Sequence, residues 1–495
     1  MGRASEASGL LFPEQAMGRA TASARIDGNQ MLLQFEGPST FDAWLDAISK
    51  AERFVHFENY ILRNDELGRR FRDALVERAR AGVRVRLLYD WMGCWATPRR
   101  FWRPFREAGV EVRAFNPPSL RDPFGLLQRD HRKLVVVDGD VAFLGGFCVG
   151  EAWVGTRNQP PWRDTGVEIR GPAVAAATQT FERIWAEIGG KIPESERADP
   201  AGGAPAGNAS VWLIEGLPWR SRVYRVTQLM ASVAQSRIWI TDPYFVAPRP
   251  VAEGLMAAAR DGVDVRLLVP AHNNWPWVGS LSRGGYRNLL HAGVRIFEWQ
   301  GPMIHAKTSV VDGHWCRIGS TNLNVASLLG NWELDVGVFD RELARQVEGL
   351  FMADLASAVE IVLPRRAASR DPEAPGLGTA SLDQEGFLLA RRKGGRRPVP
   401  VSGQSLTLAD LVRAGSALGD AIAGHRVVGR EDRTLLGTAA AALLLLAIVS
   451  FFFPRLVGWS LAFVAGWVGL VLAVRGLVQA WQARRRESDE GEEVS

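Results

Sequence analysis

His131-Arg-Lys-Leu-Val-Val-Val-Asp138-Gly139, running on to Gly145-Gly146, and His305-Ala-Lys-Thr-Ser-Val-Val-Asp312-Gly313, running on to Gly319-Ser320, are one pattern written twice. Each copy follows an apolar, β-rich approach and runs into a Val-rich segment. A lone His-x-Lys is most often a structural histidine, because short motifs match by chance. Repetition at identical internal spacing reverses that reading.

The alternation of a strand places His131 and Lys133 on one face, and His305 and Lys307 likewise, so each copy offers an imidazole and an ammonium to a shared centre. Phosphodiester transfer through an enzyme intermediate needs a nucleophile, an acid for the leaving alkoxide and cations for the charged oxygens. Two His and two Lys supply that set without a metal or cofactor. Asp138 and Asp312 end the Val-rich runs directly before Gly139 and Gly313, and an Asp-Gly pair there reads as a turn.

The repetition extends outward. Ala79-Arg-Ala-Gly-Val-Arg-Val-Arg-Leu-Leu88 matches Ala259-Arg-Asp-Gly-Val-Asp-Val-Arg-Leu-Leu268 at an offset of 180, and Ala108-Gly-Val-Glu-Val112 matches Ala292-Gly-Val-Arg-Ile296 at 184. The drifting offset locates insertions in loops. Thr40 to Ala51 and Tyr224 to Ala234 have helical apolar spacing, and Phe54 to Ile61 and Arg237 to Phe245 read as the strands that follow. Such alternation predicts two pseudo-symmetric α/β units, each a mixed sheet flanked by helices, with the site at their interface. The expected boundaries are 1–191 for the first unit, a Pro/Gly/Ala-rich surface linker at 192–210, and 211–363 for the second.

The doubled motif resembles the phospholipase D superfamily, and its surroundings resemble the bacterial cardiolipin synthase branch most closely. The resemblance implies transfer through a covalent phosphohistidine, with His131, Lys133, Asp138, His305, Lys307 and Asp312 as the motif residues. It makes His131 the nucleophile and His305 the general acid, and has both aspartates hold the motif's own backbone. Asn322 matches the family's usual phosphate-holding Asn, beside Lys133 and Lys307, whereas the first-half counterpart is Cys148, read as a small packing residue. Asp164, in Pro161-Trp-Arg-Asp164, and Glu333, in Asn331-Trp-Glu333, match acids that hydrogen-bond the His of their own half. Their physical role is to fix the tautomer and raise the basicity of the far nitrogen. Phosphatidylglycerol as donor and acceptor would yield cardiolipin and glycerol. Water as acceptor would make the protein a phospholipase D, and a nucleic-acid phosphodiesterase is a further alternative that the basic excess allows.

The chain has 495 residues, a net charge of +5 and three scattered cysteines, Cys94, Cys148 and Cys316, which suit neither a disulfide framework nor a zinc site. The opening residues lack an apolar signal-peptide core. Residues 364–400, including Arg391-Arg-Lys-Gly-Gly-Arg-Arg397, read as a basic flexible linker or a plain solvated tether, followed by a juxtamembrane segment at 401–434. Leu435–Phe453 and Leu456–Val474 are uncharged apolar stretches, each about 28 Å as a helix, and predict a transmembrane hairpin within 435–474 or a shallow re-entrant one. Arg426, Arg430 and Arg433 precede the pair and Arg475, Arg484, Arg485 and Arg486 lie in the 475–495 tail, which predicts a bacterial inner membrane with both ends of the hairpin and the catalytic units on its cytoplasmic face. Cardiolipin synthases commonly carry such segments at the N-terminus, so the placement departs from the pattern. The partners implied are anionic phospholipids and the membrane, with no nucleic acid. Phe124, Leu126, Leu127, Trp275 and Trp277 are candidates for a lipid-facing rim, with core packing as the alternative.

Overall fold

The computed structural model describes residues 14–119, 128–198, 202–363 apart from 219 and 221, and residue 467. The expected hairpin at 435–474 apart from residue 467, its flanking segments, and Phe124, Leu126 and Leu127 lie outside the described residues, as does the side chain of Trp277. Among the described residues no helix is long and apolar enough to cross a membrane.

In chain order the first unit contributes β1 (Ile26–Gln34), β2 (Phe54–Asn59), β3 (Arg84–Asp90), β4 (Glu111–Phe115), β5 (Lys133–Val137), β6 (Val141–Gly145) and β7 (Gly166–Arg170). The second contributes β8 (Ala209–Gly216), β9 (Arg237–Thr241), β10 (Asp264–Pro270), β11 (Arg295–Trp299), β12 (Thr308–Val311), β13 (Trp315–Gly319), β14 (Glu333–Phe339) and β15 (Ala358–Ile361). The sheet order is β4-β3-β2-β5-β6-β7-β1 and then β8-β14-β13-β12-β9-β10-β11-β15. The second half is the first read in reverse, with one added edge strand. The units therefore share one 15-stranded sheet, joined where β1 pairs antiparallel with β8, rather than two separate sheets.

Within each unit β2, β3 and β4, or β9, β10 and β11, run parallel, and the motif strand β5 or β12 runs antiparallel to β2 or β9. Asn59 at the end of β2 pairs with Lys133 at the start of β5, and Thr241 with Thr308. Both histidines thus stand at the edge where the parallel strands end, the usual ligand side of such sheets. Leu134 to Val137 are buried throughout, which explains a motif strand that reads as an unbroken apolar run rather than an alternating one.

The helices are α1 (Glu14–Thr21), α2 (Gly37–Ser49), α3 (Glu66–Arg80), α4 (Arg103–Glu107), α5 (Ala173–Glu187), α6 (Arg222–Val233), α7 (Arg249–Arg260), α8 (Pro276–His291) and α9 (Arg341–Leu355). On one face α5 and α9 bury Phe181, Ile184, Trp185, Leu343, Val347 and Phe351 in a single core that spans both units. The other face holds two cores, one under α2 to α4 and one under α6 to α8.

Two boundaries differ from the sequence expectation. Met17 and Ala20 of α1 pack with Trp212 and Val226, so α1 lies on the second unit although it precedes the first unit's strands in the chain. Within the expected surface linker at 192–210, Glu196 is buried, paired with Arg84 at 3.0 Å and with buried Arg86, and β8 already starts at Ala209. A buried guanidinium on β3 requires a counter-charge, and the connection supplies it.

Candidate active site

His131 and Lys133 project from one face of the motif strand and Arg132 from the other, as alternation requires. Arg132 is fully buried, bonded to Glu58 at 2.7 and 3.0 Å and to the Thr180 carbonyl at 3.1 Å. Its second-half counterpart is Ala306. Each motif lysine turns its ammonium back to the carbonyl of its own histidine, Lys133 to His131 and Lys307 to His305. This holds the cation beside the imidazole.

The orienting acids are exchanged between the halves, which corrects the expected pairing. His131 Nδ1 lies 2.9 and 3.1 Å from the carboxylate oxygens of Glu333, and His305 Nδ1 lies 2.7 Å from Asp164 Oδ2. The cause is in the backbone. Asp130 bridges to Trp332 and Arg163 to Ile304, with the His131 amide donating to the Trp332 carbonyl at 2.9 Å and the His305 amide to the Arg163 carbonyl at 2.6 Å. Each acid-bearing segment is stitched to the motif approach of the other unit, so its carboxylate reaches the other unit's imidazole.

Glu333 is held by Ser320 Oγ, which donates at 2.6 Å, and by Asn331 Nδ2 at 3.2 Å. Asp164 accepts from Trp153 Nε1 at 2.8 Å and from the Thr165 amide at 2.8 Å. A Cβ at Gly146 would stand 2.0 Å from Asp164 Oδ1, so glycine is required there. Ser320 occupies the matching place in the second copy of the motif.

Burial alone would raise both carboxyls, but the facing histidine, the lysines and these hydrogen bonds outweigh it and hold Asp164 and Glu333 below the usual carboxylate range. Burial, reinforced by Lys307, pushes His305 down to about 3; burial likewise lowers His131 despite Glu333. At neutral pH each imidazole is therefore neutral, donating Nδ1–H to an ionised carboxylate and leaving the Nε2 lone pair free. Burial also draws Lys307 down to about 8. The bridges that bring each acid-bearing segment to the other unit's histidine gather the four groups around one centre, and both lysines help to lower both imidazoles.

Asp138 and Asp312 sit at the far ends of the motif strands, about 23 Å of extended chain from the histidines. Asp138 accepts the amides of Glu52, Arg53 and Phe54 at 2.7 to 2.8 Å, and Asp312 those of Gln235, Ser236 and Arg237 at 2.8 to 2.9 Å. Both adopt positive φ, 55° and 51°. They tie the motif strand to the start of its neighbour and touch no reacting group. For Asp312 burial would raise the carboxyl, and the three amides hold it below its ordinary value.

Asn322 is buried, its Nδ2 donating to Ser327 Oγ at 3.3 Å while Oδ1 has no partner among the described residues. Cys148 is fully buried in the first unit's core, and burial pushes its thiol up, so it is a protonated packing group. Two residues escaped the sequence reading. The Tyr60 ring meets the His131 ring edge-on at 4.8 Å and faces Lys133 Nζ at 5.0 Å, and the Tyr244 ring meets His305 at 5.9 Å. Both follow the C-terminal end of the strand beside their motif, and that repeated placement was the available signal.

The chain matches the family model "Cardiolipin synthase, PLD-like domain" over residues 44–185 and 227–355, once in each half. It is 33% identical over 383 residues to cardiolipin synthase A of Pseudomonas aeruginosa, covering 74% of this chain and 75% of that one. It is 34% identical over 339 residues to cardiolipin synthase 2 of Bacillus anthracis, covering 66% and 65%. Among solved structures, phosphatidylserine synthase of Haemophilus influenzae superposes with a TM-score of 0.56 at 14% identity, over 70% of this chain and 91% of that one, a likeness of fold. With a matched unit in each half and a motif histidine in each match, the chain belongs to the cardiolipin synthase family of PLD-like-domain proteins.

Proposed function

We propose that the protein is a phosphatidyltransferase that converts two molecules of phosphatidylglycerol to cardiolipin and glycerol. The observation that carries this reading is the pair of buried histidines, each with Nδ1 held by a carboxylate and with the ammonium of its motif lysine on its own carbonyl. His131 Nε2 attacks the phosphorus of the first lipid, and the P–O bond to the glycerol headgroup breaks. The departing alkoxide takes a proton from His305 Nε2. A hydroxyl of the second lipid then returns a proton to His305 and attacks phosphorus, breaking the P–N bond and freeing His131.

With its pKa drawn down to about 3, His305 is neutral in the empty site and carries no proton on Nε2. A phosphodiester anion seated between Lys133 and Lys307 supplies the negative charge that raises it, so the substrate arms its own acid catalyst. Asn322 joins the lysines as a polar ligand of the phosphoryl oxygens. The two apolar stretches within 435–474 anchor the enzyme in a bacterial cytoplasmic membrane, with the catalytic units on the inner face.

The test is mass spectrometry of lipids after the membrane-embedded protein meets phosphatidylglycerol, beside a His131→Ala control. Cardiolipin with free glycerol is expected, reduced about ten-thousandfold or more in the control. Phosphatidic acid alone would make the protein a hydrolase instead.

A further inference from the structure

Trp95 stands five residues beyond the end of β3 and is 70% exposed; Trp275 stands five beyond the end of β10 and is 56% exposed. They are 180 residues apart, the same offset that relates Ala79–Leu88 to Ala259–Leu268. Scattered exposed apolar side chains need no explanation. The same large aromatic, exposed at repeat-related positions on both units, does.

Each tryptophan is tied to the tyrosine that flanks the histidine of its own unit. In the first unit Cys94, next to Trp95, bonds Tyr60 O and accepts the Leu62 amide at 3.2 Å, and Thr97 Oγ1 donates to the Leu62 carbonyl at 2.6 Å. In the second, Asn274 accepts from the Tyr244 hydroxyl at 2.8 Å, and Asn273 donates to the Pro243 carbonyl at 2.7 Å and accepts the Trp275 amide at 2.8 Å. Both loops leave the sheet at the edge that carries His131 and His305. Met92 and Val325, 39% and 52% exposed, add apolar surface at the same edge, and Arg99, Arg100 and Arg103 are exposed just after Trp95.

We propose that Trp95 and Trp275 are a paired interfacial anchor that seats the catalytic edge on an anionic phospholipid bilayer. Indole rings favour the zone between headgroups and acyl chains, and neighbouring arginines favour anionic headgroups. The inference rests on the proposed lipid substrate in one respect. A diacyl phosphodiester must reach histidines only 8% and 5% exposed, which the bilayer can deliver if the edge itself lies on it.

The full chain, reconstituted in vesicles of equal parts phosphatidylglycerol and phosphatidylcholine, tests this without requiring turnover. Met92→Cys and Val325→Cys accept an environment-sensitive fluorophore while both tryptophans stay, and the native cysteines are buried. Both probes are expected to shift to the blue and to be quenched by brominated lipid, and the Trp95→Ala/Trp275→Ala background should reverse this. That double variant should also lose about tenfold in turnover of vesicle lipid while staying within about twofold on monomeric short-chain phosphatidylglycerol. Unquenched probes would overturn the proposal. So would an equal loss on both lipid forms, which would make the tryptophans substrate contacts, or a blue shift without lipid that follows dimerisation, which would give the surface to a second copy. Quenched probes with no lipid turned over would sink the proposed reaction and leave the anchor standing.

Discussion

The two catalytic edges hold equivalent histidines with carboxylates of different length, and the motif residue beside each acid compensates. Asp164 is short and is approached so closely that Gly146 has no room for a Cβ, while the longer Glu333 leaves space for Ser320, whose hydroxyl then braces it at 2.6 Å. A duplicated unit has thus kept its geometry while changing its parts. The exchange of acids across the interface adds that neither unit is a complete site, because each imidazole takes its tautomer from the other unit.

The sharpest way to break this comparison is to neutralise the acids separately. Asp164→Asn and Glu333→Gln should each cost roughly a thousandfold or more in turnover, since the amide no longer fixes the imidazole. Crossed pairing makes the two losses different in kind. Asp164→Asn disables His305, so a lipid with a nitrophenol leaving group, which needs no acid, should recover most of the rate of the first step, read as the initial burst of nitrophenol. Glu333→Gln disables His131 as nucleophile and should not recover. The opposite pattern of rescue would exchange the roles of the two histidines, making His305 the nucleophile.

The neighbouring motif residues sharpen the point at smaller magnitude. Gly146→Ala pushes Asp164 off His305 and should cost about a hundredfold, with the same rescue by nitrophenol, whereas Ser320→Ala removes one brace and should cost about tenfold without it. Equal effects of the two would contradict the compensation.

The lysines offer a pH test. Lys307 is drawn down to about 8, so it loses its charge as pH rises through that value, and anion affinity falls with it. kcat/KM should drop about tenfold between roughly pH 7.5 and 9.5, with kcat less affected because bound phosphate restores the charge. Lys307→Arg should flatten that limb in a pH series of initial rates, and an unchanged limb would assign it to another group.

The smallest effect on rate is expected at the opposite ends of the motif strands. Asp138→Ala and Asp312→Ala each strip three amides of their acceptor and should cost about 2–4 kcal/mol of stability, read from denaturant midpoints. Turnover by the folded fraction should stay within about threefold of the parent. A large kcat loss without destabilisation would give these aspartates a role in the chemistry.

Much of this was legible in the chain itself. The doubled His-x-Lys spacing, the echo at Ala79–Leu88 and Ala259–Leu268, and the Asp-Gly turns are local patterns set by strand alternation and turn chemistry, and they identified the histidines, the lysines and the fold class. The positions of Asp164 and Glu333 after their motifs also marked them as the acids. Tyr60 and Tyr244 were less legible, because an aromatic after a strand reads equally well as core.

What the sequence determined by itself, then, was the inventory of each half: one imidazole and one ammonium from the motif spacing, and one carboxylate and one structural aspartate from the family resemblance that the motif carries. Only the tertiary structure decided which carboxylate meets which imidazole, that β1 and β8 fuse the halves into one sheet, and that Glu196 is buried against Arg84 and Arg86. The physical reason is that repeated units have nearly identical local preferences, so own-half and crossed pairings look alike along the chain. The bridges from Asp130 to Trp332 and from Arg163 to Ile304, between residues more than a hundred positions apart, select the crossed arrangement.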